Sequence, residues 1–422
     1  MLQIDHIYEF FYKTIFKDYA VYFLPNGGVF SEELENSITW DDVRVFNSER
    51  TTMKILCVDQ EPIFEKLISP YLEIFKYPQK DIYKSVENLL ELEESDATPY
   101  MKFNKPTISE ISSWKLNEKL LFKDTIAMCV SEKSKVVTQL AYDNNLKLVY
   151  YFFHGFAALD WFRGFYALNH SLSTVKSYKY DFISFNRLLT SDRSYRCYFI
   201  SLLTEKKLIN KGQISFGLVD DESWHEEVNS TETKLSSNAI NHIKQHLPTL
   251  QLPLTIDGDN ILGCASADIP RCSSDSFWHI VSETVFYHNK LHLTEKIFKP
   301  IVMKQPFMLL ASPGNLAYLK SYGFKTFDCV ISEKYDIMVN PTARVDAVVD
   351  QLNWYCNLTE SEKVDIMCKI EPIVEYNFHW FYNGFKERIA TELLDNTKGL
   401  FNDMGINDSS IDYAAIYKTL TT

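Results

Sequence analysis

Residues 277–327 read FWHIVSETVFYHNKLHLTEKIFKPIVMKQPFMLLASPGNLAYLKSYGFKTF, and this stretch decides how the rest of the chain is read. Residues 281–286 are expected to form a strand, broken by the polar Tyr287-His288-Asn289-Lys290. Thr294 suits a helix N-cap, because a threonine hydroxyl accepts from the free backbone N–H groups of a first turn. Ile297, Phe298, Ile301 and Val302 then recur at helical spacing, which places Glu295 and Lys296 in that first turn. Partial positive charge and unpaired N–H groups gather there, so a lysine completes a phosphate site and a neighbouring carboxylate can accept from sugar hydroxyls. A capped amphipathic helix with an exposed Glu-Lys pair would use the same residues. Pro300 is expected to shorten or kink the helix, and Gln305-Pro306 to end it before an apolar strand over 307–310. Pro313-Gly314 then turns the chain at that strand's carboxyl end, where open α/β sheets bind ligands.

Upstream, apolar runs at 21–24, 53–58, 123–130, 146–153, 180–185 and 211–216 read as strands, with helical patterns over 64–75, 131–144 and up to Glu205 between them. Strands alternating with helices imply parallel sheets. Glu61 follows the strand at 53–58, and Pro62 stiffens the turn, so its carboxylate should emerge at a sheet's carboxyl edge. The strand at 146–153 runs into His154-Gly155-Phe156 and then Asp160-Trp161-Phe162-Arg163. Such a loop makes either an aromatic wall for an acceptor, since sugars and bases stack on aromatic faces, or an aromatic core with a satisfied histidine. Arg187 and Arg193 flank the turn after the strand at 180–185, where guanidinium groups can clamp a diphosphate bidentately. Downstream, 345–354, 360–368 and the aromatic-rich 373–394 are expected to be helical.

Length and charge narrow the classes. A chain of 422 residues exceeds one ordinary core, and 46% hydrophobic residues can fill two. The expected domains are 1–176 and 177–375, with helices over 376–422 crossing back to the first. A net charge of −13 argues against a broadly basic nucleic-acid binder. Lys115, Lys119, Lys123, Lys133 and Lys135 come nearest to a local basic surface, although a solvated lysine-bearing helix face is the better explanation of them. Eight cysteines without a CxxC pair indicate reduced thiols rather than a zinc site or disulfide framework. No apolar run is long enough for a signal peptide or membrane span, so a cytoplasmic protein is expected. The acidic pairs Asp220-Asp221 and Asp257-Gly258-Asp259 lie in polar segments away from the lysine at 296, so no metal is expected at a phosphate site.

Ser282-Glu283-Thr284, His292-Leu293-Thr294-Glu295-Lys296, Gln305-Pro306-Phe307 and Ala311-Ser312-Pro313 together resemble the sugar-nucleotide domain of the fucosyltransferase family. The run Gly323-Phe324-Lys325-Thr326-Phe327 after the Thr-Glu-Lys helix resembles glycosyltransferases encoded by tailed phages. His292 stands where the family carries a tyrosine. The resemblance implies a GT-B-like α/β architecture, two doubly wound Rossmann-like domains facing a central cleft. It implies a nucleoside-diphosphate sugar as donor, no tightly bound cofactor, and transfer to a hydroxyl with inversion. Glu283, His292, Thr294, Glu295, Lys296 and one of Arg187 or Arg193 would hold the donor. Glu61, with His154 and Asp160 as runners-up, would take the acceptor proton. A hydroxylated base in viral DNA is one acceptor and a surface glycan or lipopolysaccharide the other. A nucleotide-sugar-binding protein without turnover, and a sugar-nucleotide epimerase of similar fold, are the competing classes.

Overall fold

The computed structural model describes residues 7–24, 38–40, 43–47, 53–58, 125–143, 145–167, 178–189, 193–217, 224–230, 233–256, 274–287, 289–406, 408–409 and 411–421. Glu61, Lys115, Lys119, Lys123 and both acidic pairs lie outside them.

The chain is mixed α/β with two mainly parallel sheets. The first contains β1 (Ala20–Leu24), β2 (Ile38–Trp40), β3 (Val43–Phe46), β4 (Lys54–Val58) and β5 (Thr125–Val130). After the short β6 (Lys133–Ser134), β7 (Lys147–Tyr150) completes it in the order β2-β3-β1-β4-β5-β7. Strands β1, β4, β5 and β7 run parallel, and β2 and β3 form an antiparallel edge. The second sheet is built from β8 (Tyr180–Asn186), β9 (Gly212–Phe216), β10 (Ser276–Ser282) and, after β11 (Lys290–Leu291), β12 (Phe307–Leu310). Its order is β12-β10-β8-β9, parallel throughout. Central parallel strands are covered on both faces and read as unbroken apolar runs, and all seven residues of β10 are buried. For that reason the strand expected over 281–286 sits five residues earlier: Phe277, Trp278 and Ile280 supply its core, and Val285 and Phe286 are buried without joining the sheet.

The helices that matter for the site are α1 (Lys135–Asp143), α2 (Phe153–Trp161), α3 (Tyr195–Glu205), α4 (Ser237–His246), α5 (Glu295–Val302) and α6 (Asn315–Ser321). They are followed by α7 (Pro341–Cys356), α8 (Glu360–Trp380) and α9 (Lys386–Asp403). His154 and Asp160 were expected in a loop, yet both belong to α2. Its residues from Phe153 to Asp160 are all buried, so the helix shows no polar face and no helical period in the sequence. The aromatic-rich segment at 373–394 continues from α8 through a π-turn at Phe381–Phe385 into α9. Helix α9 packs on β7, and Asn396 donates to the Tyr150 carbonyl at 2.8 Å.

Both sheets share one hydrophobic cluster. Strands β6 and β11 pair antiparallel between them, and Phe152 lies 4.9 Å from Tyr322 and 6.0 Å from Phe298. Around this seam the Tyr150 and Tyr318 hydroxyls are hydrogen-bonded, Tyr322 donates to Glu392 at 2.6 Å, and Lys133 reaches the same carboxylate at 2.8 Å. Gly323 closes the turn after α6 with φ +93°, and a Cβ there would come within 2.7 Å of the Trp380 ring. That ring is anchored by its own N–H on the Tyr322 carbonyl at 2.8 Å and yields little. Gly323→Ala is therefore expected to lower unfolding stability by about 1–2 kcal/mol from backbone strain alone, before any cost of moving Trp380. Urea unfolding of the two proteins measures the difference.

Candidate functional site

Strand β10 ends at Ser282 and delivers Glu283, fully buried, to the N-terminus of α5. Thr294 is the N-cap, as its hydroxyl predicted: it accepts from the Lys296 N–H at 3.4 Å and donates to Glu283 Oε2 at 2.5 Å. Its own N–H reaches Glu283 Oε1 at 3.2 Å. The Lys296 ammonium folds back onto Thr294 Oγ1 at 3.2 Å and Glu295 Oε1 at 2.9 Å, and its side chain remains 31% exposed. The other Glu295 oxygen faces His154 Nδ1 of α2 at 3.6 Å, and the His154 and His292 rings meet edge to face at 5.3 Å. A side chain from the first sheet's half thus meets the Thr-Glu-Lys motif of the second.

Charge follows from this packing. Burial alone would push the Glu295 carboxyl up, but Lys296, His154 and Lys299 overcome it and hold the carboxyl well below its ordinary range. Glu283 moves the opposite way: burial raises it, and Lys296 with the Thr294 hydrogen bonds only partly offsets that. Burial works against the Lys296 ammonium too, yet Glu295 and Glu283 keep it above its ordinary value. His292 is pushed well below the ordinary histidine range by burial and then by His154 and Lys290.

Several expected roles meet different surroundings. His292 is buried, its backbone N–H donating to Asn315 Oδ1 at 2.9 Å and its ring packed edge to face on His154 and not presented for stacking. Glu295 directs its carboxylate to Lys296 and His154, with 9% of the side chain exposed. Arg187 is exposed and Arg193 half-buried, and neither makes an ion pair among the described residues. The arginine next to the cluster is Arg196, which sequence reading missed. It is buried in the first turn of α3 and donates to the Leu188 carbonyl at 2.8 Å and the Ser282 carbonyl at 2.8 Å, with its charge bearing on Lys296. A bulky aromatic face around it hides its periodicity: Tyr195, Cys197, Tyr198, Phe199 and Ile200 are buried as well. Asp160 is ion-paired with Arg163 three residues along, while Phe162 is buried in the core rather than forming an acceptor wall. The Ser-Pro-Gly turn does lie at the end of β12, with Gly314 at φ +83° capping α6. The N-terminus of α6 is already occupied, since the Asp336 carboxylate accepts from Leu316 N at 2.8 Å and Ala317 N at 3.0 Å.

Beside the seam, Lys290 of β11 and Glu132 next to β6 form a buried ion pair at 3.7 Å, and Ser134 donates to the same carboxylate at 2.6 Å. An open depression of about 690 Å³ adjoins it, lined by Lys133, Lys135, Gln139, Tyr142 and Asn289. It is flanked by polar groups but does not include the Thr294–Lys296 cluster, whose buried titratable groups make the better candidate for chemistry. Among the described residues no helix is long and apolar enough to cross a membrane.

Compared with known proteins, the chain matches no protein-family model and no curated protein.

Proposed function

We propose that the chain is a glycosyltransferase that moves a sugar from a nucleoside-diphosphate sugar to a hydroxyl, with inversion. The observation that carries the reading is the Lys296 ammonium, held charged and part-exposed at a capped helix N-terminus that Glu283, at the carboxyl end of the parallel strand β10, ties down through Thr294. In this reading 177–375 holds the donor, 1–176 presents the acceptor, and 376–422 crosses back to 1–176. Lys296 takes diphosphate charge, with Arg187 or Arg193 reaching in from the turn after β8. Glu61 and His154 are the candidate bases, and the contact between His154 and Glu295 favours His154. The acceptor is a hydroxyl on a DNA base or a glycan. The commitment of Lys133 to Glu392 favours the glycan, because it removes a cation from the basic face a duplex requires.

Calorimetry with nucleoside diphosphates and their sugars tests the donor site. Charge-assisted hydrogen bonds contribute about 1.5–3 kcal/mol each, so Lys296→Ala is expected to weaken binding roughly tenfold or more. Unchanged affinity in a variant with native circular dichroism would remove the donor from this site. Mass spectrometry of oligosaccharides and hydroxymethylated DNA incubated with donor then reports the acceptor, and binding with neither transfer nor hydrolysis would mark a protein without turnover.

A further inference from the structure

On the opposite end of α3 from Arg196, a second cluster stands apart from the donor reading. Helix α4 carries His242 and His246 four residues apart, their rings 4.4 Å between centroids, and the last residue of α3 is Glu205. One ligand atom from each of the three lies within 4.8 Å of the others. Nine residues of helix separate Glu205 from Arg196, about 14 Å at the α-helical rise, so the cluster is remote from Lys296.

The hydrogen bonds around His242 set its proton. Ser201, fully buried, donates its single hydroxyl proton to the Tyr198 carbonyl at 2.7 Å, an atom that can only accept. Towards His242 Nδ1, at 2.8 Å, the same hydroxyl therefore offers a lone pair, and Nδ1 carries the ring proton. In the neutral ring this leaves the Nε2 lone pair facing Glu205 Oε2 at 3.4 Å, buried and without a hydrogen-bond partner. Lone pair against carboxylate is repulsive, and either a proton on Nε2 or a metal ion between the two relieves it. A hydroxyl that holds the outer nitrogen and aims the inner one is also how protein metal sites orient histidine.

We propose that Glu205, His242 and His246 bind one divalent transition metal of the zinc class, clamping α4 onto the end of α3. Two imidazoles and one carboxylate are the donor set zinc, cobalt and nickel accept, whereas magnesium and calcium demand all-oxygen shells. Ligand atoms of a tetrahedral zinc site stand about 3.3 Å apart at its usual bond lengths, so small rotations of the exposed Glu205 and part-exposed His246 bring the three into place.

The test uses the full chain, stripped with chelator and titrated with Zn²⁺ and with Co²⁺. One equivalent is expected to bind, and the Co²⁺ form is expected to show weak visible bands without the strong near-ultraviolet absorption that thiolate ligands produce. His246→Ala and Glu205→Gln, both at the surface and checked by circular dichroism, are each expected to weaken binding by more than about tenfold, the loss that removing an outer-layer partner alone can bring. Absence of stoichiometric binding, affinity unchanged in both variants, or a thiolate-dominated cobalt spectrum would each overturn the site. None of these measurements involves a nucleotide, so they fail or succeed separately from the donor reading.

Discussion

Replacing His154 with glutamine is expected to cut sugar transfer by about 10²-fold or more while leaving donor affinity within a few-fold of the starting protein. Glu295 of α5 lies beside this histidine. Its carboxyl stays ionised because Lys296, His154 and Lys299 outweigh the cost of burial, and one oxygen stands 3.6 Å from His154 Nδ1. An ionised carboxylate on one imidazole nitrogen stabilises the cation that forms when the other takes up a proton, which is the division of labour a general base needs. The glutamine variant keeps a polar side chain in the helix but cannot accept and release that proton. Glu61→Gln is the companion experiment: if it stops transfer and the His154 variant turns over normally, the base is Glu61. Single-turnover rates with saturating donor separate this chemical step from binding.

Glu283→Ala is expected to cost about 3–5 kcal/mol of unfolding stability, the range for removing one member of a buried charged network. The side chain is fully buried and accepts from both the Thr294 N–H and the Thr294 hydroxyl, and alanine leaves both donors stranded. Glu283→Gln retains an acceptor and should cost less than half as much. The two glutamates also give opposite pH responses. Glu283 is raised above its ordinary 4.5, so its contribution to stability is present below that pH and is lost as pH rises through the folded value. Glu295 is depressed, so its contribution is present above 4.5 and is lost as pH falls. Denaturation curves across this range should flatten on the acid side in Glu295→Gln and on the neutral side in Glu283→Gln.

The capped helix after Thr294 was legible because N-cap chemistry is local and the apolar spacing of Ile297, Phe298 and Ile301 needs only one face turned inward. The parallel strands were legible for a related reason, as burial on both faces leaves unbroken apolar runs such as Phe307-Met308-Leu309-Leu310. Helix α2 was not, because a helix buried all round carries no period. Nor was the meeting of His154 with Glu295, which lie 141 positions apart and are joined only by the packing of α2 against α5. Arg196 was hidden for a third reason: its partners are backbone carbonyls at strand ends, and carbonyls leave no mark in a sequence. His242 and His246 do stand at helical spacing, but their third member comes from a different helix.

The buried Glu132–Lys290 pair constrains how the molecule can move. It lies beside the β6–β11 ribbon that joins the two sheets, and burial already pulls the lysine below its ordinary value while Glu132 opposes the shift. Any hinge rotation that parted the sheets would have to break this pair and unzip the ribbon, and a motion that freed one partner while leaving the other buried would cost about 3–5 kcal/mol. The sheets should therefore breathe as one body, with backbone amides of β6 and β11 exchanging with solvent on the timescale of global unfolding rather than of local fraying. The buried His154 ring and the part-exposed Lys296 then keep one mutual arrangement as the sheets breathe, with no two lobes to be drawn together around them.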